Sequence, residues 1–236
     1  MKVEINLAPN DNHLSEIKSW LVEEENKTGQ GFFCNWDSII YAFDRKELTI
    51  ITKDDLVIGF LAYSITDCVV HIEITEIHPR FRKKGFGKTL VSESLKAFKE
   101  KGNVTVELYC QPIESERVWR KLGFTRFQIS QHDSKINMYK LLIEALNVAD
   151  CKENEEVIEL LGEEYHKAGN KSSKWTWKVK GHKLDKPIII PAFYDWEICW
   201  RKGNEIYKEG KVKNFYRKQI IYGNFMIIRK LSLKAI

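Results

Sequence analysis

The stretch Arg82-Lys83-Lys84-Gly85-Phe86-Gly87-Lys88 constrains this chain more than any other. It follows a strand-like run, Val69–Ile77, that Pro79 must end, because proline has no N–H to give to a β-ladder. It precedes Leu90, Val91, Leu95 and Phe98, which repeat at helical spacing and stop at Lys101-Gly102, a helix C-cap signature. At such a junction backbone N–H groups converge on one concavity at the positive end of a helix dipole, a place that holds phosphate oxygens. Gly85 and Gly87 remove the Cβ atoms that would keep a pyrophosphate off the backbone. The stretch is not a Walker loop, since G-x-x-x-x-G-K-[ST] is absent, nor a dinucleotide fingerprint, since only G-x-G is present. Taken alone, these residues also fit a loop with a merely basic face.

The flanking pattern predicts an α/β domain. Val3–Leu7 alternates as a strand; Leu14, Ile17 and Leu21 after the Pro9–Asn12 turn predict a helix, and Asn35–Asp44 a second. Leu48–Thr52 and Leu56–Tyr63 form a hairpin across Lys53-Asp54-Asp55. Beyond the glycine loop, Val104–Tyr109 is a strand, Glu114–Leu122 a helix closed by Gly123, and Phe124–Ile129 and Ile136–Leu142 are strands. The expected order is β-α-α-β-β-β-α-β-α-β-β. Farther on, Glu153–His166 has an apolar helical face of Val157, Ile158, Leu161 and Tyr165. Short β-rich runs follow at Trp175–Val179, Ile188–Ile190, Glu197–Trp200, Glu205–Tyr207 and Gln219–Ile228, punctuated by glycine turns.

The stretch Ile72-x-x-x-x-Ile77-His78-Pro79-x-x-Arg82-x-x-Gly85-x-Gly87-x-x-Leu90 resembles the acetyl-CoA-binding motif of the GNAT N-acetyltransferase superfamily, [R/Q]-x-x-G-x-[G/A]. Downstream, Trp119-Arg120-Lys121-Leu122-Gly123-Phe124 resembles that family's second signature, Y-x-K-L-G-F. The resemblance covers residues 1 to about 147 and implies a mixed sheet flanked by helices. It implies a pantetheine arm lying between the Val69–Ile77 and Val104–Tyr109 strands. Ile77 and His78, the loop residues Arg82, Lys83, Lys84, Gly85, Phe86, Gly87, Lys88 and Thr89, and Trp119 are the implied acetyl-CoA contacts, with the Ile77 backbone pairing with pantetheine. The implied reaction is direct attack of an amine on the thioester, which needs a neutral amine, donors for the oxyanion and a proton for the thiolate. Candidate bases are Glu107, Glu73 and His71. Strand alternation puts His71, Glu73 and Thr75 on one face, and a related subgroup that acetylates N-terminal amines carries a Glu where Glu107 stands. Solvent-facing or salt-bridged strand residues are the plainer reading of both glutamates. Trp119 departs from the family's tyrosine: an indole N–H donates a hydrogen bond but is no general acid. Tyr109 or Cys110 lies near enough in sequence to substitute. Pro112 replaces the small polar residue common at the next helix start.

Charge divides the chain. Residues 1–147 carry 20 basic and 21 acidic side chains, 148–164 one Lys against seven acids, and 165–236 17 basic against five acidic. The shift predicts domains at 1–147 and 148–236, the second smaller and β-rich. The 12 aromatics of 165–236 among those cations fit either a stacking surface for single-stranded nucleic acid, including tRNA, or the core of a small β domain. A protein partner, or a lid over the acceptor cleft, fits as well. No apolar run approaches the roughly 20 residues of a membrane helix. Met1-Lys2-Val3-Glu4-Ile5 predicts no signal peptide, and the five scattered cysteines predict neither a disulfide framework nor a structural metal. The expectation is a cytoplasmic acetyl-CoA-dependent N-acetyltransferase, with an edge strand free for a homodimer. Its acceptor stays open among a protein amine, an aminoacyl-tRNA and a small molecule. The alternative is a catalytically weak acyl-CoA-binding module whose basic region binds a protein or nucleic acid.

Overall fold

The computed structural model describes residues 2–127, 136–161, 173–215, 221–222 and 224–231. The chain forms two compact units, Met1–Leu142 and Ile143–Ile236. The division falls ahead of the charge boundary, where the Leu142 N–H donates to Val104 O and the first unit's sheet ends.

In the first unit, β1 (Val3–Asn6), β2 (Leu48–Lys53), β3 (Leu56–Thr66), β4 (Val69–Ile77), β5 (Thr105–Tyr109), β6 (Thr125–Arg126) and β7 (Asn137–Leu141) make one sheet in the order β1-β2-β3-β4-β5-β7-β6. The β2–β3 turn is Asp54-Asp55, both at positive φ (49° and 67°), the hairpin geometry whose twist matches the strands. Only β4 and β5 run parallel, joined by α3 (Phe86–Glu100). The remaining helices are α1 (Asp11–Thr28), α2 (Trp36–Asp44) and α4 (Glu116–Lys121). Asn10 and His13 cap α1 reciprocally, and its buried stripe is Ile17, Trp20, Leu21 and Glu24. That stripe and α2 pack on one sheet face with Ile50, Phe60 and Ile74. On the other face, Leu90, Leu95 and Phe98 of α3 meet Val70, Ile72, Ile77 and Val106. The expected strand Phe124–Ile129 is β6 in its described part; residues 128 and 129 lie outside the described residues.

A bulge resets β4. Ala62 stands opposite Ile74 and Tyr63 opposite Ile72, leaving Glu73 without a register partner on β3. Consequently Ile72 belongs to the α3-side core and Ile74 to the α1/α2-side core, although two residues apart they should share a face. His71 and Thr75 therefore lie on opposite faces, which corrects the expectation from simple alternation.

The second unit is β-rich. It holds a four-stranded sheet of β8 (Glu156–Leu161), β9 (Ser173–Lys178), β11 (Glu197–Lys202) and β12 (Glu205–Lys211), ordered β12-β11-β8-β9. A second sheet, β10-β14-β13, comprises β10 (Ile188–Pro191), β13 (Ile221–Tyr222) and β14 (Phe225–Ile228); a short α5 (Val212–Phe215) follows β12. The helix expected over Glu153–His166 is instead strand β8 at Glu156–Leu161, and residues 162–166 lie outside the described residues. β8 is an inner strand with Val157, Ile158 and Leu160 buried, so its near-continuous apolar run imitates helical spacing. Trp177, Trp196, Trp200 and Phe225 are buried and build the unit's core, whereas Tyr194 is exposed. Buried Glu156 accepts from Trp200 Nε1 at 3.0 Å. Among the described residues, no helix is long and apolar enough to cross a membrane.

Gly59 lies opposite Ile77, and a Cβ there would sit 2.4 Å from Ile77 Cδ1 and 2.8 Å from the Glu76 carbonyl oxygen. Gly59→Ala should therefore destabilise the first unit by about 1–3 kcal/mol, measured by urea denaturation. An unchanged midpoint would mean that this end of β4 yields freely.

Candidate functional site

β5 stays beside β4 only from Val69↔Thr105 to Ile72↔Leu108, whereas β4 continues to Ile77. Beyond that point the two strands part, and a cavity of about 570 Å³ fills the split. Its wall includes β4 from His71 to Ile77, the loop residues Arg82, Lys83 and Gly85, the start of α3 at Phe86, Gly87 and Lys88, and Trp119 of α4. Glu107, His78, Lys84 and Thr89 are not on that wall. Glu107 lies in register beside His71. The His78 ring packs between Trp20 (centroids 5.4 Å apart) and Phe81 (5.6 Å). Lys84 Nζ is turned back to Arg80 O at 2.9 Å, and the Thr89 N–H closes the first turn of α3 on Gly85 O.

At the loop, Gly85 is the N-cap of α3 at φ 89° and no side chain caps the helix, which leaves the N–H groups of 86–88 without intrahelical acceptors. Lys83 is also left-handed, at φ 62°. A Cβ at Gly85 would meet nothing within 4 Å, so backbone conformation alone demands glycine there. A Cβ at Gly87 would meet only Ile77 Cγ1, at an ordinary 3.5 Å, so internal packing does not demand glycine at that position.

Arg82 is held by several groups of the protein. Its guanidinium is turned into the protein: Nη2 lies 2.6 Å from Glu24 Oε1 of α1 and 3.1 Å from Glu76 Oε1, and Nε donates to Ile77 O at 2.9 Å. It is bound to two carboxylates and a carbonyl while the residue lines the cavity. The Ile77 backbone is likewise engaged, its N–H donating to Glu76 Oε1 at 2.8 Å. Burial pushes the Glu76 carboxyl up, and the Arg82 charge opposes that shift. Sequence reading missed both glutamates. Glu24 carried a signal, because it occupies the core stripe of α1 seven residues after Ile17.

The three base candidates separate by environment. His71 Nδ1 is 3.6 Å from Glu107 Oε1, and Glu107 is buried at 7% exposure. Interaction with the Glu107 carboxylate raises the His71 pKa, against desolvation, and the Glu73 charge adds to the rise. Glu73, at the bulge, is exposed. Trp119 packs edge-on to Phe124 at 5.2 Å. Tyr109 lines the cavity, whereas Cys110 is fully buried and burial raises its thiol pKa.

Residues 10–124 match the model of the acetyltransferase (GNAT) family. The matched residues lie in the first unit, which has the GNAT fold. A protein assigned to the GNAT acetyltransferases from Desulfovibrio desulfuricans superposes with a TM-score of 0.50 at 15% identity, over 60% of this chain and 100% of its own. Ard1 from Thermoplasma volcanium gives 0.48 at 17% identity, over 61% and 100%. The paia N-acetyltransferase from Thermoplasma acidophilum, solved with coenzyme A, gives 0.47 at 19% identity, over 60% and 99%. No curated protein matches the chain. The match to the GNAT model ends at residue 124, so the second unit lies outside it.

A raised His71 pKa fixes the sign of a pH effect. The imidazolium–Glu107 contact stabilises the fold fully below the ordinary histidine value of about 6.5, and that increment is lost as pH rises through the folded midpoint. NMR titration should place His71 above about 6.5, and Glu107→Gln should bring it back down. An unmoved midpoint in the variant would remove Glu107 as the cause.

Proposed function

We propose that the first unit binds acetyl-CoA in the β4–β5 split and transfers its acetyl group to an amine, in the cytoplasm. The observation that carries this reading is the cavity itself: parted strands over a helix N-terminus whose first N–H groups have no intrahelical acceptor and no side-chain cap. Gly87 supports it, since a ligand pressed against the backbone explains a glycine that packing does not require. The N–H groups of 86–88 would hold the pyrophosphate, with Lys83 and Lys88 on the same wall supplying charge. The open edge of β4 would receive the pantetheine arm as an added strand.

The bound thioester supplies an electrophilic carbonyl and a thiolate leaving group. His71 takes the proton from the acceptor ammonium before or during attack, and Glu107 stabilises the imidazolium that forms. The thiolate leaves without an acidic partner at Trp119 and takes its proton from solvent. Glu73, exposed on the cavity wall, adds negative charge where a cationic amine approaches.

The test is thiol release from acetyl-CoA across a panel of amines. Release should require an amine and should rise with pH through the His71 midpoint. Glu107→Gln should move that limb to lower pH and lower the plateau by about 10- to 100-fold. Gly85→Glu places a carboxylate at the phosphate site and should abolish binding; normal affinity in that variant would count against the loop assignment. Binding without thiol release for any amine would favour the acyl-CoA-binding module instead.

A further inference from the structure

Ladder geometry fixes how the end of β4 presents its backbone. The His78 N–H donates to Ile58 O at 2.9 Å, and Gly59 stands opposite Ile77. Polar groups alternate along an antiparallel strand, so those of Ile77 point away from β3, toward the edge that β5 has left. An extended ligand bearing amides would pair there as a strand does. In the free protein that position is taken. The Glu76 carboxylate holds the Ile77 N–H at 2.8 Å, and Arg82 Nε holds the Ile77 carbonyl at 2.9 Å. The same Glu76 Oε1 lies 3.2 Å from Arg82 Nε and 3.1 Å from Nη2, and Arg82 is anchored to Glu24 on α1.

We propose that Glu76 is an internal competitor of the pantetheine arm: its carboxylate occupies the Ile77 N–H in the free protein and gives it up when an amide carbonyl of the arm arrives. This rests on the acyl-CoA reading above. Arg82 makes the exchange feasible, because the displaced carboxylate keeps its guanidinium partner and is never left buried without a counter-charge. Glu24 keeps that guanidinium in place from the α1 side. The consequence is selectivity. A nucleotide that fills only the phosphate loop leaves Glu76 where it is, and only a ligand with the arm displaces it. Glu76 is thus a specificity-determining residue that touches the co-substrate's binding edge, and it takes no part in the bond-making step.

The experiment compares CoA with 3′-phospho-ADP, which has the nucleotide and pyrophosphate of CoA but no arm. Glu76→Ala should tighten CoA about three- to tenfold, the size of one net hydrogen bond, and leave 3′-phospho-ADP unchanged. Glu76→Gln keeps an acceptor oxygen and should stay near the parent protein. No tightening of CoA, or an equal change for both ligands, overturns the proposal. A measurement on the unsubstituted protein guards against a folding defect: CoA, and not 3′-phospho-ADP, should shift the carboxyl-carbon NMR resonance of Glu76. A resonance that CoA binding leaves in place also overturns it. If the unsubstituted protein binds neither ligand, the acyl-CoA reading falls with it, an outcome distinct from CoA binding that is indifferent to Glu76.

Discussion

The first unit depends on a pairing that stops early. β4 and β5 are bonded in parallel through Ile72 and Leu108, and then β4 runs on alone to Ile77. A lone strand end inside a sheet carries backbone groups that must find partners, because buried N–H and C=O groups left unpaired are costly. The protein answers with side chains, Glu76 for the Ile77 N–H and Arg82 for its carbonyl. The split therefore exists without collapsing, and the cavity between the strands opens on the N-terminus of α3. Fold and candidate chemistry meet at this one interruption.

Two further features tune the same place. The bulge at Glu73 reverses the faces of β4, which seats Ile74 under α1 and α2 while Ile77 returns to the α3 side. Without it, Ile74 would share the α3-side face with Ile72, and Ile77 would face α1 and α2. The Arg82 ion pairs then tie α1 to the end of β4 and to the loop. A guanidinium suits this post because its planar donors reach two carboxylates and a carbonyl together, which an ammonium on a flexible stem does not match.

Much of this was legible in the residues. Pro79, Gly85, Gly87 and the α3 periodicity located the strand–loop–helix junction, since each acts through local backbone geometry. The α/β order and the GNAT resemblance likewise rest on local patterns in correct succession. What escaped was non-local. The bulge depends on how β3 pairs, so simple alternation put His71 and Thr75 on one face. The Arg82–Glu24 pair joins residues 58 apart on different elements, so no local pattern announces it. β8 read as a helix because an inner strand covered on both faces loses its period of two. The tail's aromatics fit two readings in sequence, and Trp177 and Trp200 belong to the core while Tyr194 is exposed.

The central claim is that the β4–β5 split is an acyl-CoA site. A backbone amide NMR titration of the full chain with acetyl-CoA tests it most directly. The account predicts saturable binding with the largest shifts at Thr75, Ile77 and the residues 86–88. Absence of binding at millimolar ligand, or saturable shifts confined to the second unit, would contradict it.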